Sequence, residues 1–340
     1  MTDKSLRTLF VWLCCAALGM IACNGNQNGK DAERAALLTH PPYARLTDSI
    51  EEKLGADRAG LFFRRAELLS HNDLHELAAA DYRQAWDIKS DEMTGARYAS
   101  TLIITGQAAK AIRFLQDCRK IFPANTTFPA MLAELYTQSN HLEDAIAVYD
   151  NILRNDTLNF DAWYEKGLLL EKKGDTNTAI AALKKAYSLA PVNTYGLELA
   201  LLYAEHRDPA AIPVCDAILL KDSARELPDP FLIKGIYFSN IAQYKKAIVQ
   251  FDSCVGRDWK FADAYREKGI ALYKQNKFDS AMRSFQMTIQ VQETDADGYF
   301  WIGRCYEATG NKENAIAYYR QALSLDKNFT EAAQAIKRLQ

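Results

Sequence analysis

No run of like charge interrupts this sequence. Lysine and arginine total 41 against 43 aspartates and glutamates, for a formal net charge of −2. Without a basic stripe or an acidic block there is no electrostatic footprint for nucleic acid, nor for an anionic membrane surface as the main partner. Histidine is scarce too. The five, His40, His71, His75, His141 and His206, lie beside no nucleophile in any familiar catalytic motif. His71 and His75 have the i, i+4 spacing of a helical metal site, but "SHNDLH" spans an expected turn, where the two rings need not share a face. CxxC pairs are absent, and Cys118, Cys215, Cys254 and Cys305 stand 97, 39 and 51 residues apart, which fits no zinc module. Buried thiols are the reading of these four, with a structural disulfide in an oxidising compartment as the alternative. Carboxylate pairs such as Glu51 and Glu52 read as solvated helix faces. Nothing here calls for a metal, a cofactor or catalysis.

Long apolar runs are also missing after the first 22 residues. Before that, Lys4 and Arg7 precede "TLFVWLCCAALGMIA", about 15 apolar or small residues, followed by Cys23 and the polar "NGNQNGKDAE". A membrane-spanning helix needs about 20 such residues, so the run reads as the apolar stretch of a secretory signal. "GMIAC", with Ala22 before Cys23, resembles bacterial lipoprotein signals. That resemblance implies removal of residues 1–22, lipid attachment to Cys23 as a membrane anchor, and a flexible tether over 23–40. Ordinary secretion and a retained anchor are the competing readings.

What the sequence has is a period. "YREKGIALYKQNKFDSAMRSF", residues 265–285, aligns without a gap on "YFWIGRCYEATGNKENAIAYY", residues 299–319, at an offset of 34. Reading every 33 to 35 residues gives a small residue at Ala66, Ala99, Ala133, Gly167, Ala200, Gly235, Gly269 and Gly303. Three residues later comes a large one: Leu69, Leu102, Tyr136, Leu170, Tyr203, Phe238, Leu272 or Tyr306. Eleven or twelve after the small position an alanine recurs, at Ala78, Ala111, Ala145, Ala179, Ala211, Ala247, Ala281 and Ala315. Four beyond it lies Tyr82, Leu115, Tyr149, Leu183, Cys215, Phe251, Phe285 or Tyr319. Small residues let two helix backbones approach, and large ones at i+3 or i+4 fill the space beside them. Each unit reads as two antiparallel helices joined by a short turn, with Gly106, Gly174 and Gly310 available for left-handed C-caps. One unit differs: its turn is a residue shorter, and Pro213 is expected inside its second helix, predicting a kink and a change of curvature near 207–230.

"FDAWYEKGLLLEKKGDTNTAIAALKKAYSLAPVN", residues 160–193, carries Trp163, Gly167, Leu170, Ala179, Leu183, Ala186 and Pro191, and here the pattern resembles the tetratricopeptide repeat. The resemblance implies an all-α, right-handed superhelical solenoid of about eight helix pairs. Their expected bounds are 59–91, 92–125, 126–159, 160–193, 194–227, 228–261, 262–295 and 296–329. A capping helix is expected at each end, over 41–58 and 330–340, because a terminal unit has no neighbour to cover it. In that family the first helix of each pair lines a groove. Carried over by position, the groove residues are Tyr164, Leu168, Leu197, Leu201, Leu232, Ile236, Arg266, Ile270, Tyr273, Phe300 and Arg304. Co-chaperone members that grip a carboxylate place asparagine at one of these positions; none of the eight equivalents here has it. The implied function is a non-catalytic scaffold in a bacterial cell envelope, as an outer-membrane lipoprotein facing the periplasm or the exterior, binding peptide segments of envelope proteins. An accessory or carrier subunit for envelope enzymes or glycans is the alternative. Four triplets beginning at Asp48, Asp156, Asp222 and Asp279 resemble an O-glycosylation signal.

Overall fold

A computed structural model of the protein describes residues 36–52 and 57–340. The expected signal, Cys23 and the tether up to residue 35 lie outside these residues. Among the described residues all regular structure is helical. The chain divides into two compact units, one up to Val148 and one from Tyr149 onward.

The first unit opens with α1 (Ala44–Glu51), followed by α2 (Arg58–His71), α3 (His75–Ile88), α4 (Glu92–Ile104), α5 (Ala108–Ile121) and α6 (Thr127–Gln138). Helix α7 (Leu142–Asn155) runs through the point of division. The second unit holds α8 (Phe160–Lys173), α9 (Thr176–Leu189), α10 (Asn193–Glu205), α11 (Ala211–Lys221), α12 (Asp229–Asn240) and α13 (Tyr244–Arg257). It continues with α14 (Ala262–Lys274), α15 (Phe278–Val291), α16 (Ala296–Ala308), α17 (Lys312–Leu325) and α18 (Thr330–Leu339). Several helices begin where a side chain satisfies a first-turn N–H. Asp91 accepts from Thr94 N at 2.9 Å, Asn159 from Ala162 N at 2.9 Å and Asp295 from Gly298 N at 2.5 Å.

Each first helix ends in the same device. One residue per turn adopts positive φ, namely Asp73, Gly106, Asn140, Gly174, Arg207, Ala242, Asn276 and Gly310. The next residue then donates its N–H five residues back, as Gln107 to Leu102 O (2.8 Å), Asp175 to Leu170 O (2.9 Å) and Gln243 to Phe238 O (2.8 Å). This closes the helix in a Schellman motif and returns the chain antiparallel.

The seam inside each pair is made by steric exclusion. The alanines from Ala78 to Ala315 at the start of the second helices are sealed at 0% exposure, and so are the large residues Leu115, Leu183, Phe251, Phe285 and Tyr319. Opposite Phe285 lies Gly269, where a Cβ would meet the ring at 2.5 Å; opposite Phe251, at Gly235, it would meet the ring at 2.3 Å. The aromatic ring occupies the volume that the glycine leaves empty.

Helix α1 is fastened to the first pair by a buried polar cluster. Arg65 grips Asp81 with two hydrogen bonds (2.6 and 2.8 Å) and donates to Thr47 Oγ1 on α1 at 2.9 Å, and all three residues are buried. A bidentate guanidinium–carboxylate pair satisfies both charges where water cannot reach. The C-terminal helix α18 places Ala332 and Ala335 on the core of α16 and α17.

The Pro213 expectation is corrected. Helix α11 starts at Ala211, so Pro213 is its third residue. An N–H there has no intrahelical acceptor, and the proline removes no bond. The turn before it is held by Asp208, whose Oδ1 accepts from Ala210 N at 2.8 Å.

Candidate functional site

The second unit turns one face of α8, α10 and α12 into a continuous half-buried surface. On α8, Tyr164, Leu168 and Glu171 stand at i, i+4 and i+7, and on α12, Leu232 and Ile236 stand at i and i+4. On α10, Leu197 and Leu201 share a face with Glu198 and Glu205. Each of these apolar side chains is half-buried, in contrast to the sealed alanine seams. Leu232 and Ile236 rest on the core of Ala247, Phe251 and Ala271. Tyr164 packs on Tyr195 of the next first helix, ring centroids 4.5 Å apart, and Tyr195 in turn hydrogen-bonds Asp161. Asn240 donates to Ala204 O at 3.1 Å, tying α12 to α10.

This face is acidic. Burial pushes the Glu171 carboxyl above its ordinary range, repulsion from Glu205 and Glu198 pushes it further, and His206 opposes them. Glu198 is raised by burial and by Glu205. Tyr164 is raised by burial and by Glu198, Glu165 and Glu171. The three carboxylates therefore feel one another across two helices.

Three first-helix lysines, on α8, α12 and α14, reach across to the preceding pair. Lys166 pairs with Asp150 (2.6 Å), Lys234 with Asp216 (2.7 Å) and Lys268 with Asp252 (2.5 Å), each on the second helix of the preceding pair. Lys172 and Lys173 of α8 stand exposed next to Glu171.

Toward the C-terminal end the expected face closes on itself. Arg266 is held by Asp295 (2.7 Å) and Asp263 (2.5 Å), so its charge is spent inside the protein. Phe300 is 8% exposed and belongs to the terminal core, its ring 4.9 Å from Phe329 and 5.4 Å from Tyr319. The reading of Phe300 as a free groove residue is corrected accordingly. Ile270 and Tyr273 pack on the Leu272, Phe285, Ile302 and Cys305 cluster. The Arg304 guanidinium lies 5.5, 5.9 and 5.6 Å from the rings of Tyr273, Phe300 and Trp301. It donates to Tyr273 OH at 3.4 Å. Stacked guanidinium and rings of this kind stabilise each other by cation–π attraction.

The tetratricopeptide repeat family profile matches residues 130–194 and again residues 296–329. Those stretches are tetratricopeptide repeats. Two solved structures share its fold: PilW, described as a type IV pilus biogenesis factor (19% identity, 62% of this chain and 99% of that one, TM-score 0.53), and yeast Tom70 (17%, 83% and 58%, TM-score 0.53). In sequence it is similar to human DnaJ homolog subfamily C member 7, 23% identical over 82% of this chain and 51% of that protein. It is also similar to Superkiller protein 3 of Schizosaccharomyces pombe, 23% identical over 65% of this chain. The chain spans only 17% of Superkiller protein 3. Tetratricopeptide repeat proteins generally act as protein-interaction scaffolds.

Other candidate chemistry in this repeat protein is structural. Cys118, Cys215, Cys254 and Cys305 are free, buried thiols, each pushed up to about 12 by burial and so protonated at neutral pH. His71 Nδ1 lies 2.7 Å from Glu67 O, while His75 Nε2 lies 3.6 Å from Asp73, so the two rings serve different neighbours. Among the described residues no helix is long and apolar enough to cross a membrane. Position-by-position transfer missed Glu198, which stands two residues before Ala200. Its spacing to Leu201 and Glu205, i+3 and i+7, was the available signal.

Proposed function

We propose that this chain is a non-catalytic adaptor of a bacterial envelope, lipidated on Cys23 and held at the outer membrane, that binds peptide segments of partner proteins on the first-helix face of its second unit. The observation that carries the reading is the contrast within one stack. The seams that hold the pairs together are sealed, while Tyr164, Leu168, Leu197, Leu201, Leu232 and Ile236 keep accessible apolar surface on three successive first helices. Apolar side chains rimmed by polar groups are the composition of a peptide-docking surface. Leu201→Gln together with Ile236→Gln removes two anchors without adding charge. Binding of a recovered partner should fall at least tenfold, about 1.4 kcal/mol, with helical content unchanged. Unchanged affinity would move the partner to another surface. For the anchor, Cys23→Ser should shift the chain out of the detergent phase; unaltered partition of an unprocessed chain argues for a retained apolar helix instead.

A further inference from the structure

We propose that the cavity at the turn between α12 and α13 is a second binding site, for an acidic peptide segment whose apolar side chain fills the cavity while neighbouring carboxylates meet its lysines. None of its walls belongs to the first-helix face described above, so it stands apart from that docking reading. The cavity holds about 430 Å³ and is walled by Ala242, Gln243, Tyr244, Lys245, Lys246 and, just past the end of α14, Gln275. Small-ligand sites begin at about 300 Å³, so a large side chain has room here.

Three observations on these walls set the chemistry of the occupant. Gln275 Nε2 is a buried donor with no acceptor among the described residues. Buried N–H groups are nearly always paired, so one left over in the wall of a cavity calls for an oxygen. Lys245 and Lys246 are exposed and neither is paired with a carboxylate among the described residues; Lys246 Nζ lies 5.4 Å from the centroid of the Phe238 ring instead. No aspartate or glutamate occurs in residues 230–251, nor in residues 268–278, where Lys274 and Lys277 flank Gln275, so both strands of the site lack a local counter-charge. Third, α13 starts without a side-chain cap, and its first N–H to return donates from Lys246 to Gln243 O at 2.9 Å. The N–H groups of Tyr244 and Lys245 are therefore open first-turn donors, which favour an anion. Between the donors the walls are apolar: the methyl of Ala242, the ring of Tyr244 and the lysine stems. A hydrated inorganic anion leaves those walls bare, and a flat anionic membrane satisfies the lysines without entering the cavity. An acidic segment with an apolar side chain answers both demands.

The test is selection from a phage-displayed library of random 16-residue peptides on the full chain in mild detergent, with synthesised winners titrated against K245Q/K246Q and Q275M. Both lysines are exposed and Gln275→Met removes a donor that has no partner, so neither variant should lower the thermal midpoint. Winners should set aspartate or glutamate beside a leucine or an aromatic residue. They should bind K245Q/K246Q at least tenfold more weakly and Q275M at least threefold more weakly, and their wild-type affinity should fall as sodium chloride is raised. The Leu201→Gln, Ile236→Gln variant should bind them as the wild type does. Winners without acidic residues, acidic winners indifferent to K245Q/K246Q, or no enrichment at all would overturn the proposal. A winner that ignores Q275M alone would show attraction to the lysines without entry into the cavity, and would overturn it too. Winners weakened only by Leu201→Gln, Ile236→Gln would place binding on the first-helix face, rejecting the cavity and leaving the adaptor reading intact. Co-sedimentation with phosphatidylglycerol vesicles that is lost in K245Q/K246Q, in place of peptide enrichment, would assign the lysines to a membrane and reject the peptide site.

Discussion

Glycine at position 269 is a consequence of phenylalanine at 285. A Cβ at 269 would lie 2.5 Å from Phe285 Cε1, and the ring is at 0% exposure with nowhere to withdraw. Gly269→Ala should destabilise the protein by about 1–3 kcal/mol, the ordinary cost of overpacking, read as a lower urea midpoint. The second pair solves the same steric problem with Ala99 and Leu115, both sealed at 0%. Combining Gly269→Ala with Phe285→Leu reproduces that solution in the seventh pair. Each single change should destabilise, one by crowding and the other by a void, yet the double variant should be more stable than their sum by about 1 kcal/mol, as for residues in contact. Strict additivity would show that Phe285 does not fill the space at Gly269. Arg65 illustrates a different residue-scale demand. Its two bonds to Asp81 and one to Thr47 satisfy a charge that α1 covers, and no spacing in the sequence announces that trio.

Among elements, the turn between paired helices is the repeated unit of construction. All eight turns require one residue at positive φ, and three use glycine there. Aspartate and asparagine tolerate that conformation through local hydrogen bonding, but Ala242 at φ 59° has no such compensation. Ala242→Gly should raise stability by about 0.5–1 kcal/mol, the relief of left-handed strain exceeding the entropy lost to glycine. A lower urea midpoint would show that the turn tolerates the alanine without strain. These turns also explain what the sequence disclosed. Gly106, Gly174 and Gly310 were readable because glycine reports left-handed backbone directly. Arg207 and Ala242 were not, since their conformation is imposed by the N–H to C=O bond closing over them, Asp208 to Tyr203 O and Gln243 to Phe238 O at 2.8 Å. Small and large residues along the seams were legible for a similar reason, because close approach of helices restricts residue size at fixed positions. The acidic face was less so. Glu198 acquires its meaning from Glu171 on the neighbouring first helix, and Arg266 loses its availability to Asp295, 29 residues further along. Such pairings depend on how successive helices are set side by side, which the period alone does not specify.

For the molecule as a whole, the substantial contacts of each described helix are with helices one or two positions away in the chain. Stability in such an arrangement is a sum of local terms and nearest-neighbour interfaces, so damage should remain near its origin. Ala281 provides the probe, being at 0% exposure in the cluster of Leu272, Phe285, Ile302 and Cys305 where α14, α15 and α16 meet. Leucine there adds three carbons to a closed space, at about 1–3 kcal/mol. Amide exchange in the Ala281→Leu variant should accelerate across residues 262–329, because the affected side chains belong to both flanking pairs. Residues 92–121, which belong to the first unit, should keep wild-type protection. Exchange measured by mass spectrometry on peptides from both regions decides the matter. A uniform gain would mean that opening proceeds only through global unfolding, with cooperativity extending well beyond the neighbours that each helix touches.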